Sequence, residues 1–252
     1  MNLPSHTHLL LIPSYNSGAI VVAVVREALQ HWQPVWVVID GSNDGSAELL
    51  EKLAQNEPHL KLFRHAQNSG KGSAVLTGIE AALKQGYTHV LTMDADGQHP
   101  ASLIDAIMQL SGNNPDAMIL GKPVFDQNAP AIRVQGRKIS NFWANLETLW
   151  AGINDSLFGF RVYPIKPLLK VMQKTYFARR FDFDPEVVVR MSWQGIKAIN
   201  MPVPVRYLSA EEGGVSQFHY LRDNCLLIWM HTRLFFGFLL RLPILIVRQL
   251  KS

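Results

Sequence analysis

The order of apolar and polar positions divides the chain into two styles. Over roughly the first 120 residues, short and almost uninterrupted apolar runs alternate with longer amphipathic stretches. His8–Ile12, Val35–Asp40, Leu60–Arg64, His89–Asp94 and Ala117–Gly121 have the length and content of buried strands. Between them, Ala19–Gln30, Ser46–Ala54, Gly72–Gln85 and Ser102–Leu110 read as helices. In the last of these, Leu103, Ile104, Ile107, Met108 and Leu110 approximate one helical stripe. Strand–helix alternation predicts an α/β fold: a single, mostly parallel central sheet with helices on both faces. Ligands of such sheets bind beyond the C-terminal strand ends. Polar clusters fall there: Pro13-Ser14-Tyr15-Asn16 after the first strand, Asp40-Gly41-Ser42 after the second and Asp94-Ala95-Asp96 after the fourth.

The later chain changes character. Residues 123–138 form a polar, proline-containing connection with Arg133, Arg137 and Lys138. A helix is predicted from about Arg137 to Trp150, with Ile139, Phe142, Trp143, Leu146, Leu149 and Trp150 at helical spacing. That aromatic stripe reads as core packing or as a lipid-facing surface. A further helix is predicted at Pro185–Trp193, with short strands at Ala198–Met201 and Val205–Tyr207. From Leu226 to Val247 nearly every residue is apolar, with Arg233 and Arg241 interrupting the run and Arg248 closing it. The longest uncharged stretch, Leu234–Leu240, is far shorter than the roughly 18–20 residues that span a bilayer. The arginines, spaced by eight and seven, share one helical face. This is the pattern of an amphipathic helical segment in the membrane interface, kinked near Pro243. The alternatives are packing on the domain or a homo-oligomer interface. The chain thus divides into a domain over residues 1–222 and a C-terminal segment over 223–252.

Composition narrows the class. Apolar residues are 48% of the 252, and charged residues 17%, below the roughly 25% of an average soluble domain. This excludes a disordered chain and suggests apolar surface outside the core. The net charge of +4 is too small to argue for nucleic acid, and it suits an anionic ligand or a membrane surface. A lone cysteine, Cys225, excludes an internal disulfide and a Cys-rich zinc site. No signal peptide is expected at the N-terminus, so the expected location is cytoplasmic, peripheral to the inner face of the cell membrane.

Two carboxylates at i and i+2 past a strand, Asp94 and Asp96, can share one divalent cation, and hard oxygen donors suit Mg²⁺ or Mn²⁺. The bland alternative is a solvated turn at Asp96-Gly97. Asp40 through Ser46 reads either as a turn leading to a helix or as a loop whose Asp40 meets a nucleobase edge. Asn68-Ser69-Gly70-Lys71-Gly72-Ser73 opens a helix, where glycines permit close approach and Lys71 adds charge for an anion. Neither a Walker A order nor Gly-x-Gly-x-x-Gly is present, which disfavours P-loop and dinucleotide-binding enzymes.

Pro13 through Asn16, Asp40 through Ser46, Asn68 through Gly72 and Met93 through Pro100 resemble the family 2 glycosyltransferases in order and spacing. Asp155 through Arg161, ending in Gly-Phe-Arg, and Gly214-Val215-Ser216 resemble the dolichyl- and polyprenyl-phosphate sugar transferase branch. The resemblance covers about residues 8–217 and implies a GT-A fold, a UDP- or GDP-linked sugar donor, a divalent metal and inversion at the anomeric carbon. It places Pro13, Tyr15 and Asn16 around the nucleotide, Asp40 at the base and Lys71 nearby. Asp94 would lie by ribose and metal, with Asp96 and Gln98 on the metal. Arg133 and Arg137 would lie near phosphates, and Asp155 and Arg161 on the acceptor side. Phe181 through Glu186, Arg222-Asp223-Asn224 and the Met230–Phe235 stretch resemble a bacterial subset found beside lipid acyltransferases, implying a lipid-linked acceptor.

The chain departs from the pattern at Ile39, where a first acid is usual, at Phe158, where Ser is frequent, and at Glu211, where the branch has Arg. The Gln-x-x-Arg-Trp signature of processive synthases is absent. A hydroxyl acceptor needs a base, for which Asp155, Asp184 and Glu186 are the candidates, whereas an ionised phosphate needs none. Asp184 and Glu186 also suit a plain helix N-terminus beside Pro185. The competing classes are a sugar nucleotidyltransferase and a catalytically degenerate scaffold that binds nucleotide or lipid.

Overall fold

A computed structural model describes residues 4–125, 131–205 and 220–250, with 131–133 and 220 described by backbone alone. The strands are β1 (His8–Ser14), β2 (Val35–Asp40), β3 (Leu60–His65), β4 (His89–Thr92), β5 (Met118–Val124), β6 (Arg161–Pro164) and β7 (Ala198–Pro204). The helices are α1 (Ile20–His31), α2 (Ser46–Ala54), α3 (Lys71–Lys84), α4 (Ile104–Asn113), α5 (Ala131–Glu147), α6 (Ile165–Gln173), α7 (Phe183–Trp193) and α8 (Tyr220–Gln249). The strands form one seven-stranded sheet in the order β3-β2-β1-β4-β6-β5-β7. Only β6 runs against its neighbours β4 and β5.

The apolar runs of β1 and β2 are uninterrupted because both sheet faces are covered. Leu10, Ile12, Val35, Val37 and Ile39 join the core beneath α1, α2 and α4. Their neighbours Leu9, Leu11, Trp36 and Val38 point the other way, into the core shared with α3, α6 and α7. Each such side chain, fully withdrawn from water, contributes about 1.5–3 kcal/mol.

All five predicted N-terminal strands are present, with ends shifted by a few residues. Thr92 closes β4, so Asp94 lies in the loop beyond the sheet. Elements β6 and α6 were not expected. The strand predicted at Ala198–Met201 is present as β7, which runs on to Pro204 and is held along its length by β5. Of the strand predicted at Val205–Tyr207, Val205 lies just past β7 and residues 206–207 lie outside the described residues. Helix α5 begins before Arg137 and ends at Glu147, with Leu149 and Trp150 turning out at φ 52° and 57°. Its stripe splits: Ile139 and Phe142 are exposed, while Trp143 packs edge-on against Phe235 of α8.

The C-terminal segment is one 30-residue helix that continues through Pro243. Contrary to the expectation of a segment too short to span, Leu221–Gln249 is long and apolar enough to cross a membrane, with mean hydropathy 1.5. Met230 and Leu234 pack against Ala144 of α5 and Val189 of α7. The three arginines do share a face, and that face is turned to α7. Arg233 pairs with Glu186, Arg241 lies 4.6 Å over the Trp193 ring, and Arg248 donates to the Ser192 and Trp193 carbonyls. A helix C-terminus with its unpaired carbonyls is a natural seat for cations. Leu221, Ile228, Phe236, Leu240, Ile244 and Val247 remain exposed.

Candidate active site

The parallel strands end at one edge, and there the chain gathers opposite charges. Lys71 opens α3, Asp94 follows β4 and Asp184 stands in the first turn of α7. Lys71 Nζ lies 2.7 Å from Asp94 Oδ1 and 2.6 Å from Asp184 Oδ2. Burial alone would lower the Lys71 ammonium, but Asp184 and Asp94 more than reverse it and keep the group charged. Burial likewise opposes the Asp94 carboxylate, which Lys71, His99 and Arg161 hold below its ordinary value. Gly159, entering antiparallel β6, passes beside this pair. A Cβ there would stand 2.4 Å from Asp94 Oδ2 and 2.6 Å from Lys71 Nζ, so a side chain at this position would have to push this charged pair aside.

The Asp94 N–H donates to His99 Nδ1 at 3.1 Å, which leaves the imidazole proton on Nε2, 3.8 Å from Asp94 Oδ2. Burial, with the neighbouring cations, pushes His99 down to about 4, so the ring is neutral and packs edge-on against Phe158. Burial and then the neighbouring Asp94 push Asp96 up to about 6, while its Oδ1 accepts the Gln98 N–H at 3.0 Å. Two carboxylates that raise one another's cost of ionisation make a place a cation would stabilise. Asp94, Asp96 and Gln98 offer hard oxygen donors, which fits Mg²⁺ or Mn²⁺. Among the described residues no three His, Cys, Asp or Glu side chains gather as a metal cage. A cation here would complete its shell from substrate oxygens and water.

Where the resemblance expects a nucleotide, two loops lock together. The Asn16 N–H donates to Ser42 Oγ, the Asn43 N–H donates to Asn16 Oδ1, and the Gly18 N–H donates to Asp44 Oδ2. Asn16 accepts this at φ 45°, just past Pro13 and the half-buried Tyr15. Asp40, read as a base contact, is buried and already engaged. Its Oδ1 accepts the Ser69 N–H and meets His65 Nδ1 at 2.7 Å, while Oδ2 accepts the Gly70 N–H at 2.7 Å. The amides of Ser69 and Gly70, expected to face an anion, are therefore committed to Asp40.

The acceptor-side candidates are held more tightly than expected. Asp155 Oδ1 accepts the Leu157 and Phe158 N–H groups and pairs with Arg137 at 2.8 Å, so this carboxylate caps its own turn. Arg161, expected near the acceptor phosphate, is fully buried. It donates to the backbone carbonyls of Asp155 and Asp184 and to the Tyr163 hydroxyl. It therefore ties the loop at Asp155 to α7. Glu186, a candidate base, is fully buried between Arg190 and both Nη atoms of Arg233. The Arg133 side chain lies outside the described residues, as do Glu211 and Gly214–Ser216.

One cluster escaped the sequence reading. Buried His231 of α8 meets Glu147 at 3.0 Å and Ser140 Oγ at 3.0 Å, and Ser140 Oγ lies 3.1 Å from Ser156 Oγ. Burial raises the Glu147 carboxyl above its ordinary range. A lone acid inside the aromatic stripe of α5 was the available signal. Arg180, which donates to Asn68 Oδ1 across the top of α3, was also missed.

A seven-stranded mixed sheet with an aspartate loop at the C-terminal edge of its parallel strands is an α/β frame that collects a polar site beyond its strand ends. The model of glycosyl transferase family 2 matches residues 10–184, and the chain belongs to that family. Among curated relatives, polyprenol monophosphomannose synthase of Mycolicibacterium smegmatis is 27% identical over 221 residues, 85% of this chain and 82% of that protein. UDP-N-acetylglucosamine–dolichyl-phosphate N-acetylglucosaminyltransferase of Methanococcus voltae is 25% identical, covering 79% of this chain and 85% of that protein. Glucosyl-3-phosphoglycerate synthase from Mycobacterium tuberculosis, solved with Mn²⁺ and UDP-glucose, superimposes with TM-score 0.59 at 15% identity, over 82% of this chain and 74% of that one. The fold is of the GT-A type, and the protein is a glycosyltransferase.

Proposed function

We propose that this glycosyltransferase moves a sugar, with inversion, from a nucleoside-diphosphate donor to a lipid-linked phosphate at the cytoplasmic membrane face. The observation that carries the donor half is the convergence of Lys71, Asp94 and Asp96 on the sheet edge where a diphosphate would sit. The relatives named for polyprenol and dolichyl-phosphate products support the acceptor half.

The acidic residues favour an acceptor that needs no base. Asp155 caps its turn, Glu186 is clamped by two arginines and Asp184 holds Lys71. A phosphate oxygen, already ionised, attacks the anomeric carbon from the face opposite the donor. The bond to the diphosphate oxygen breaks with its electron pair, and the added negative charge falls on the leaving nucleotide. Lys71 supplies a fixed positive charge for it. A Mg²⁺ or Mn²⁺ on Asp94, Asp96 and Gln98, when bound, neutralises the same charge. Arg137 and Arg133 are the candidates for the acceptor phosphate. Pro13, Tyr15, Asn16 and Asp40 frame the base, Asp40 by holding the loop at Ser69–Gly70. The exposed apolar face of α8 supports association with the membrane, since its arginines are spent on α7.

Calorimetry with UDP and GDP, with and without Mn²⁺, tests the donor site beside Asp96→Ala. Metal-dependent binding of one nucleotide, lost in the variant, is expected. Failure of both nucleotides to bind, with or without Mn²⁺, would refute the reading in favour of a degenerate scaffold. Transfer from the bound nucleotide's sugar conjugates to polyprenyl phosphate then tests the acceptor.

A further inference from the structure

Lys71 stands where a site built for a divalent cation would least need it. Its ammonium already neutralises Asp94, one of the carboxylates assigned to that cation. The two ion pairs it makes are unequal. Asp184 is almost wholly buried, its side chain 8% exposed, and among the described residues its Oδ1 has no hydrogen-bond partner, only the Arg161 guanidinium 3.7 Å away. The Asp94 side chain is 31% exposed and opens to the sheet edge. The backbone beneath Lys71 is pinned. Cβ atoms at Gly70 and Gly72 would stand 2.2 Å from the Arg179 carbonyl oxygen and 2.0 Å from that of Ala178, and the Ser73 N–H donates to Arg179. With its main chain fixed and one partner buried, Lys71 can give up only its bond to Asp94, by a swing of its flexible side chain.

We propose that Lys71 is a resident counter-ion: it holds Asp94 in the free enzyme and releases it to the incoming metal–nucleotide complex, so that a divalent cation enters with nucleotide and not before. This rests on the donor-site reading above. Without the ammonium, Asp94 and Asp184 would share one space beside Asp96 with the buried Arg161 guanidinium, 3.7 Å from Asp184, as their nearest remaining full positive charge, an excess of carboxylates that attracts cations. With it, bare metal must compete against a charge already in place, whereas a nucleotide's diphosphate offers Lys71 a new partner and frees Asp94.

Mn²⁺ binding by electron paramagnetic resonance on the full chain tests this, with native protein, Lys71→Met and Lys71→Arg. Native protein is expected to bind Mn²⁺ weakly alone and more tightly with UDP or GDP. Lys71→Met should bind Mn²⁺ alone about tenfold tighter than native, with a smaller gain from nucleotide. Lys71→Arg, which keeps the charge, should stay near native. Lys71→Gln, which keeps polar contact without charge, reads the same effect if the methionine variant does not fold. Mn²⁺ affinity in the neutral variant no higher than native overturns the counter-ion role. Tighter Mn²⁺ in that variant with no effect of either nucleotide on native protein would uphold the counter-ion and refute the donor-site reading instead.

Discussion

Cutting the clamp between α8 and α7 asks whether the C-terminal helix belongs to the fold of the catalytic domain. Glu186 is fully buried, with Arg233 Nη2 at 2.9 Å from Oε2, Arg233 Nη1 at 3.2 Å from Oε1 and Arg190 Nε at 2.7 Å from Oε1. The Arg233 guanidinium also lies 3.5 Å over the Phe177 ring. Arg233→Met keeps the aliphatic stem and removes the bidentate pair and the ring contact. Breaking a buried pair from one side costs about 3–5 kcal/mol when nothing replaces the lost charge. Here Arg190 remains on Glu186, which reduces the expected loss to about 2–3 kcal/mol. For a chain of this size that is about 5–10 °C in Tm. Arg233→Lys cannot serve both oxygens and should fall between. The assay is thermal unfolding in mild detergent, repeated with Glu186→Gln and the double variant. Coupling of at least about 1 kcal/mol is expected between two residues in direct contact. A Tm change below about 2 °C, or additive single effects, would show that α8 is only loosely applied to α7.

Three further outcomes follow from single sites. If Asp155 caps its turn, Asp155→Asn keeps an oxygen for the Leu157 and Phe158 N–H groups and retains kcat within about tenfold. Loss of the hundredfold or more typical of a missing base would restore its catalytic reading. His8, buried and stacked on His89 at 4.4 Å, is pushed down to about 4 from an ordinary 6.5. The unfolded chain therefore takes up this proton first as pH falls. The His8 contribution is intact above about 6.5, and about 2 kcal/mol is lost by pH 5. Urea midpoints at pH 7 and 5 should show a smaller acid loss in His8→Gln, and an equal loss would count against the assignment. Leu240→Asp with Ile244→Asp places charge on the outer face of α8 without touching its arginines, and should abolish flotation with anionic vesicles while leaving Tm within about 2 °C. Undiminished flotation would remove α8 from the membrane contact.

Uniform burial makes β1 and β2 the plainest elements in the sequence. β1 and β2 are covered on both faces, so their apolar runs have no polar interruption to mislead. β6 was hidden because its first residue, Arg161, is a charge in the most buried part of the sheet. Its partners are the carbonyls of residues 155 and 184, which no local pattern announces. α6 was hidden by Pro167, which sits in the first turn, where proline is tolerated. The site divides in the same way. That Asp40, Lys71 and Asp94 lie at one edge follows from strand order, since each stands just beyond a strand or opens the helix after one. That Lys71 is held by Asp184 does not follow, because α7 is 113 residues away along the chain and reaches the edge only through packing.

The C-terminal helix shows where periodicity stops being informative. Spacings of eight and seven establish that Arg233, Arg241 and Arg248 share a face, but not what that face meets. Read alone, a cationic stripe on an apolar helix points to lipid headgroups. In the folded chain the same stripe has better partners: a buried carboxylate at Glu186, the Trp193 ring and the open carbonyls at the end of α7. Because these consume the positive charge, the face left outward is leucine, isoleucine and phenylalanine. The proposed contact with a membrane is thereby shifted from attraction between charges to burial of apolar surface. Its strength should accordingly depend little on salt, since ions screen charge and leave the hydrophobic term in place.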